Sequence, residues 1–406
     1  MPLNRLTRVL ENHVAELEER GTAKGEESVV TKAIPPSGDR GPRFHLEGEG
    51  EKEFLRMNSN SYLGMSLRPE IMKAEEEGTA KYGAGPGAVR FISGTYDVHK
   101  ELEAALARFH GREDAMIFSS AYATIMGTIS PLVTKETAVI SDQLNHNCII
   151  NAVRLARPHA KVVYPHLDMK GLERSLEEFK GQATRALVIT DGIFSMRGDH
   201  APMDEIMALA QKHDGDYPEN VVVVMDDSHG VGAFGETGRG TEEYTGFPRI
   251  DILVGTLGKA FGVNGGYVTS NATLTRFLRE SAPFYIYSNP ITPGEAKAAL
   301  ASLEILDSPQ GRELLFHLRA LTKRFEDGLG RLGMETIPGE HPVVPLMVRD
   351  TAKTNAMVEH LYANGVLATG LAYPVVPRGD EEIRFQINAD HTEQDIDRVL
   401  GVLRSF

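Results

Sequence analysis

Asp251-Ile-Leu-Val-Gly-Thr-Leu-Gly-Lys259-Ala-Phe-Gly262 is a short apolar run that leads into a glycine-flanked turn carrying one lysine. Lysine is costly to bury and seldom follows a core strand unless its charge is neutralised. Capture by a carbonyl cofactor does this, because a Schiff base draws the nitrogen into a conjugated system. Upstream, Val221-Val-Val-Val-Met-Asp226-Asp-Ser-His229-Gly is a second buried-type run, ending in an acid with a histidine three positions on. Ala260 after the lysine, and the spacing of the glycines before it, exclude a P-loop. Each motif alone has an ordinary reading, a solvated turn for Gly-Lys and a helix cap for Asp-Asp. Both together, each behind an apolar strand, point to pyridoxal phosphate, with Lys259 on the aldehyde and Asp226 on the protonated pyridine nitrogen.

Outward from these runs, residues 88–265 alternate helical patterns with apolar stretches: Ala115–Phe118, Thr137–Ile140, Lys161–Tyr164, Ala186–Ile189, Val221–Met225 and Ile252–Val254. None alternates apolar with polar residues, which predicts strands buried on both faces in a mostly parallel sheet. Amphipathic stretches at 97–110, 169–179 and 202–213 supply the covering helices. The fold class is α/β, and an open sheet of this kind gathers ligands at the C-terminal ends of its strands. Residues 30–58 read as a linker with a hairpin, and Gly215–Asn220 as a surface loop. After Pro293, helices at 294–306, 309–332, 353–364 and 392–405 surround the runs at Val343–Val348 and Glu382–Ile387, an α+β unit. The expected organisation is an N-terminal helix and linker (1–58), a large cofactor-binding domain (59–292) and a smaller C-terminal domain (293–406).

Composition narrows the function classes. With 406 residues, 41% apolar and 25% charged, the chain has the makeup of a globular protein large enough for two units. A net charge of −14 argues against a nucleic-acid partner, which needs a basic footprint. The single cysteine, Cys148, excludes an intramolecular disulfide and any cysteine-rich metal site, and its Asn-Cys-Ile-Ile setting suits a small buried hydrophobe. No apolar stretch approaches bilayer length and no secretory leader is evident, so the cytoplasm is the expected compartment and no membrane partner is expected. Leu3, Leu6, Val9, Leu10, Val14 and Leu17 lie near helical spacing, a stripe expected to dock on the body of the protein or on a second subunit.

The motifs Asn60-Ser-Tyr-Leu-Gly64, Arg90-Phe-Ile-Ser-Gly-Thr95-Tyr-Asp-Val-His99-Lys-Glu-Leu-Glu103, Asn145-His146, Thr190–Met196, Asp226–His229, Gly255–Lys259 and Arg384 fall in one order along the chain. In this the chain resembles the α-oxoamine synthases, fold-type I pyridoxal phosphate enzymes that join an amino acid to an acyl-CoA. Val89–Thr95, Tyr373–Arg378 and Ile383-Arg384 most resemble the branch that uses glycine and acetyl-CoA. The resemblance implies that Lys259, His146, Asp226 and His229 are catalytic. His146 would stack on the cofactor ring, Asp226 would hold the pyridinium nitrogen, and His229, with Ser195, would meet the ring hydroxyl. The phosphate would lie against the helix start after Ser119-Ser120, held by Ser120, the Ala121 and Tyr122 amides and the Thr256 hydroxyl. Ser288 would reach it from a neighbouring subunit, which makes the expected enzyme a homodimer with a shared active site. Arg384, a planar bidentate donor, and Asn60 would take the substrate carboxylate.

The freed Lys259 amine would then remove a Cα proton, and the resulting carbanion would attack the thioester and release CoA. No metal is implied. Three positions depart from the family pattern: Ile125 and Leu167 stand where asparagine is usual, and Ala282-Pro-Phe284 lacks an arginine. These departures bear on the acyl donor and the amino acid, leaving room for another amino acid or a longer acyl-CoA. The same cofactor chemistry could also serve an aldolase or lyase, and a cofactor-binding scaffold without turnover is the reading from another class.

Overall fold

Why the segment before residue 58 is more than a linker is visible in its burial. In the computed structural model, which describes residues 3–20, 22–23, 25–373 and 375–406, the first element is helix α1 (Asn4–Glu19). Strands β1 (Val30–Ile34) and β2 (Arg43–Leu46) follow as an antiparallel hairpin, as the sequence suggests. All four residues of β2 are buried, and β3 (Leu55–Arg56) pairs in parallel with Val366–Leu367 far along the chain. Arg43 is ion-paired with Asp395, both buried. The buried strand of the hairpin, β2, thus joins the wall of the C-terminal region, while β1 stays exposed. The helical periodicity of α1 also holds, but its expected docking on the body does not: Leu3, Leu6, Val9, Leu10 and Val14 are all at least 50% exposed. Among the described residues, no other element covers that stripe.

The main sheet holds β4 (Asp114–Phe118), β5 (Thr137–Asp142), β6 (Ala160–Tyr164), β7 (Arg185–Asp191), β8 (Val221–Asp226), β9 (Ile252–Thr256) and β10 (Gly266–Ser270), in the order β4-β10-β9-β8-β7-β5-β6. Only β10 runs against its neighbours; the ladder from β9 to β6 is parallel throughout. Along β8, Val223 and Met225 enter one core while Val224 enters another on the opposite face. A Val or Ile buried this way is worth about 1.5–3 kcal/mol, which is why the runs are continuously apolar. β6 departs from that expectation. It is the edge strand, with Lys161 and Val163 exposed. β10, Gly-Tyr-Val-Thr-Ser, was not among the expected strands; glycine and two hydroxyl residues dilute its apolar signal.

Helices α2 (Pro69–Tyr82), α3 (Asp97–Phe109), α4 (Ala121–Leu132), α5 (Asn147–Ala156), α6 (Met169–Phe179), α7 (Met203–His213), the short α8 (Thr241–Tyr244), α9 (Ala272–Ser281) and α10 (Pro283–Ile286) accompany the sheet. Beyond it come α11 (Pro293–Leu306), α12 (Pro309–Arg331), β11 (Val343–Met347), α13 (Thr351–Ala363), β12 (Val366–Leu367), β13 (Thr369–Leu371), β14 (Glu382–Gln386) and α14 (Glu393–Arg404). β11, β14 and β13 form an antiparallel sheet that carries Arg384 at its centre. Pro374, within the Tyr373–Arg378 motif, lies outside the described residues. Among the described residues, no helix is long and apolar enough to cross a membrane.

Candidate active site

Five strand ends converge on one cavity. β7 and β8 stop in register, so Asp191 and Asp226 sit side by side. β9 stops at Thr256, and the turn beyond it carries Lys259. The Thr256 hydroxyl donates to the Gly265 carbonyl (3.2 Å) and accepts from the Gly258 N–H (3.1 Å), so it braces this turn. Gly262 closes the turn at φ +71°, and a Cβ there would come within 2.4 Å of the Ser66 amide nitrogen, so only glycine lets the turn pack so closely.

The cavity is lined by Ala121, Tyr122, His146, Ser195, Asp226, His229 and Lys259, all singled out in the sequence, and by Cys148, Asp191, Ile193 and Ser228, which were not singled out as site residues. Asp191 lies within the quoted Thr190–Met196 motif, but only the pairing of β7 with β8 reveals its place beside Asp226.

Lys259 makes no ion pair or side-chain hydrogen bond among the described residues. Desolvation lowers its pKa, opposed by the attraction of Asp226 and Asp191. The Asp191 carboxyl is pushed well above the usual carboxylate range, first by burial and then by Asp226. Its Oδ2 accepts the His146 backbone N–H at 2.9 Å. His146 caps α5 with Nδ1, which accepts the Cys148 N–H at 3.3 Å. Its pKa is lowered because desolvation outweighs the pull of Asp226, so the ring that faces the cavity is neutral. The Cys148 thiol lies 3.7 Å from Asp226 Oδ2 and 2.9 Å from His146 Nδ1. Burial pushes its pKa up, which suits an inert thiol.

His229 is buried, with Nδ1 2.7 Å from the Tyr62 hydroxyl and its carbonyl accepting from His341 Nε2 at 2.9 Å. α4 begins at the end of β4. Ser120 Oγ accepts the Ala123 N–H, which leaves the Ala121 and Tyr122 amides without a protein acceptor among the described residues. β10 passes so close beneath that a Cβ on Gly266 would fall 2.5 Å from the Ala121 nitrogen.

Five expected residues lie around this cavity rather than in its lining: Thr256, whose hydroxyl braces the lysine turn, and Arg384, Asn60, Ser120 and Ser288. Arg384 donates to the Ser195 carbonyl at 3.0 Å and makes no ion pair among the described residues, so the surface ion pair that a strand arginine usually makes is absent. Burial lowers its pKa. Asn60 accepts from the Tyr62 hydroxyl at 3.3 Å. Ser120 is the cap of α4, and Ser288 Oγ lies 3.5 Å from Ser119 Oγ of the same chain.

The donor set fits a flat, anionic, aldehyde-bearing ring. It offers an unpaired desolvated amine, a carboxylate beside it, a neutral imidazole at the rim, free amides at a helix start, and an orphaned buried hydroxyl on Ser228.

Comparison with known proteins gives the same outline. The profile of the family described as Aminotransferase class I and II matches residues 52–403. The human mitochondrial 2-amino-3-ketobutyrate coenzyme A ligase is 38% identical over 98% of this chain and 91% of its own. The 8-amino-7-oxononanoate synthase of Bacillus pumilus is 39% identical over 87% and 88%. Among solved structures, the serine palmitoyltransferase of Sphingomonas wittichii superposes with a TM-score of 0.88 at 27% identity, covering 99% of this chain and 97% of that one. A structure described as SPT with a PLP internal aldimine gives 0.89 at 27% identity, over 99% and 97%.

Proposed function

From the premise that this chain belongs to the aminotransferase class I and II family, and within it to the α-oxoamine synthases, we propose that it condenses glycine with acetyl-CoA and releases CoA. It is a pyridoxal phosphate-dependent acyltransferase. The observation that carries the reading is Lys259, a desolvated amine without a partner beside Asp226 and Asp191 at the strand ends. The bound cofactor supplies an aldehyde for capture and an electron-withdrawing ring that stabilises charge at Cα.

The chain's own residues do the rest. Lys259 holds the aldehyde and, once released, is a base of lowered pKa suited to taking a Cα proton. Asp226 keeps a proton on the ring nitrogen by a charge-assisted bond. The amides of Ala121 and Tyr122, with Ser120, hold the phosphate at the start of α4. Arg384, free of a carboxylate partner, and Asn60 receive the amino acid's carboxylate. Glycine and acetyl-CoA are supported by the near-complete overlap with the ketobutyrate ligase and by the Val89–Thr95 and Ile383-Arg384 stretches.

The working unit is a homodimer. The bare stripe on α1 supports this, as do Phe91, Ile92 and Tyr287, exposed by 66%, 68% and 78%. Apolar surface left open on this scale marks an interface. Tyr287 adjoins Ser288, so the interface runs beside the helix start that holds the phosphate.

The test is a free-thiol assay of CoA release with the loaded enzyme. It crosses glycine, alanine and serine with acetyl-, succinyl-, pimeloyl- and palmitoyl-CoA. Release confined to glycine with acetyl-CoA is the expected result. Release with another pair reassigns the substrates, and cleavage of β-hydroxy amino acids without CoA replaces the synthase with a lyase. A protein that binds the cofactor and does neither is a scaffold.

A further inference from the structure

One buried hydroxyl touches both the residue assigned to the ring oxygen and a residue assigned to the substrate carboxylate. Tyr62 Oη lies 2.7 Å from His229 Nδ1 and 3.3 Å from Asn60 Oδ1. Tyr62 is 0% exposed, and burial raises its pKa, so it keeps its proton. His229 is held well below the ordinary histidine pKa by burial, with the positive charges of Lys259 and Arg384 adding to the effect. Its ring is therefore neutral and carries a single N–H. Nε2 has no protein partner among the described residues, and the ring lines the cavity.

Two protons must be placed on this chain of three groups. If His229 carries its proton on Nδ1, it donates to Tyr62 Oη, and Tyr62 donates on to Asn60 Oδ1. Both contacts are then hydrogen bonds, and Nε2 faces the cavity as an acceptor. If the proton sits on Nε2, Tyr62 must turn its own proton to Nδ1, and Asn60 Oδ1 loses its donor. The first arrangement satisfies both contacts, whereas the second leaves the half-buried Asn60 Oδ1 without its donor.

We propose that Tyr62 is the positioning residue that couples Asn60 to His229: accepting from Nδ1–H and donating to Asn60 Oδ1, it presents Nε2 to the cavity as an acceptor and turns the Asn60 amide so that Nδ2 is free to donate to a carboxylate. This rests on the synthase reading above and deepens it. A change at the substrate's carboxylate contact is thereby felt at the cofactor's ring oxygen, and the reverse holds as well. The Tyr62 hydroxyl does no chemistry itself; it acts through the two groups it joins.

The experiment is a double-mutant cycle of Tyr62→Phe and Asn60→Ala on the full-length, cofactor-loaded enzyme. Three quantities are read: the pH at which the bound cofactor's absorbance changes, the amino acid's KM, and kcat. Each single variant is expected to move the absorbance transition. In the Tyr62→Phe background, the effect of Asn60→Ala on KM should differ at least about twofold from its effect in the wild type, the lower edge of coupling between residues in contact. Additive effects, or an absorbance transition that neither variant moves, overturn the proposal.

Should Tyr62→Phe fail to fold, 15N NMR of histidine-labelled wild-type protein reads the proton directly, with the His229 signals assigned by their loss in His229→Gln. Protonation at Nδ1 supports the arrangement, and protonation at Nε2 overturns it. Borohydride reduction of the wild type separates the two levels of the argument. Without pyridoxal phosphate fixed on Lys259, the synthase reading fails and this proposal with it. With capture intact and an additive cycle, only the role of Tyr62 falls.

Discussion

Two groups of buried charges in this molecule are built on opposite plans. Around Glu103, which is 1% exposed, Arg90 (3.1 Å), Lys100 (2.9 Å) and Arg279 (3.2 Å) close in as ion-pair partners, and the Ile117 amide adds a hydrogen bond at 3.3 Å. The carboxyl is held down to about 2; burial would raise it, but the arginines and Lys100 together outweigh that. At the strand ends the plan is reversed. Lys259 faces Asp226 and Asp191 without a salt bridge to either, and its pKa is lowered. Charges that hold the fold together are paired within the chain; charges left unpaired at a cavity keep a place for something else. The difference separates two motifs that the sequence presents alike, since Arg90, His99 and Glu103 belong to as specific a stretch as Lys259 does.

The sharpest way to break that comparison is Lys259→Ala. CoA release should fall by more than about 10³-fold, since the residue both captures the cofactor and moves the proton. The thermal midpoint of the cofactor-free protein should stay the same or rise, because an unpaired buried amine is removed. A mutant that still released CoA would exclude Lys259 from the mechanism.

Glu103→Gln should do the reverse, costing about 3–5 kcal/mol of stability by stranding its arginines. Denaturant titration reads that loss. Whatever fraction stays folded should still be trapped by borohydride on Lys259, and a loss of trapping without a loss of stability would erase the distinction between the clusters.

The pH dependence of folding sharpens it further. Glu103 has its folded pKa depressed from 4.5 to about 2, so its stabilisation, about 3 kcal/mol by linkage, is full above 4.5 and is lost as pH falls through 2. His110 and His341 are buried neutral, depressed from 6.5 to about 3 and about 4. An unfolded histidine takes up its proton first, so their contribution is full above 6.5 and declines as pH falls toward 4 and then 3. Stability should therefore fall in two stages on acidification. His341→Gln should flatten the upper stage and Glu103→Gln the lower, as followed by denaturation midpoints across pH 7 to 2. A single stage unaffected by either variant would contradict both assignments.

Much of this site is legible in the sequence because its residues follow strands buried on both faces, and such strands announce themselves as unbroken apolar runs. Asp226, Lys259 and His146 each stand just past one. Asp191 and Cys148 escape because their place depends on lateral pairing, β7 against β8 and α5 beside both, which no local pattern encodes. β10 escapes because its apolar residues are too few, and the edge position of β6 because apolar composition does not reveal which strand lies outermost. Leu167 shows a departure from the family pattern acquiring a physical meaning. Its φ is +55°, a left-handed conformation that asparagine adopts readily and leucine does not. The asparagine usual at that position suits the backbone, and the leucine here sits there under strain.

The smallest expected effect on the subunit concerns α1. Its apolar stripe is exposed from Leu3 to Val14, so Leu6→Ser, Val9→Ser and Leu10→Ser together should leave the subunit's unfolding free energy within about 0.5 kcal/mol per site, the usual range for surface changes. The same substitutions should weaken association, because an apolar stripe at helical spacing has no reason to face water in a chain whose other helices bury theirs. Sedimentation across a concentration series separates the two effects. Dissociation at unchanged subunit stability places α1 on a second copy of the chain. A loss of stability at dilutions where only monomer is present would instead return the stripe to the body of its own subunit.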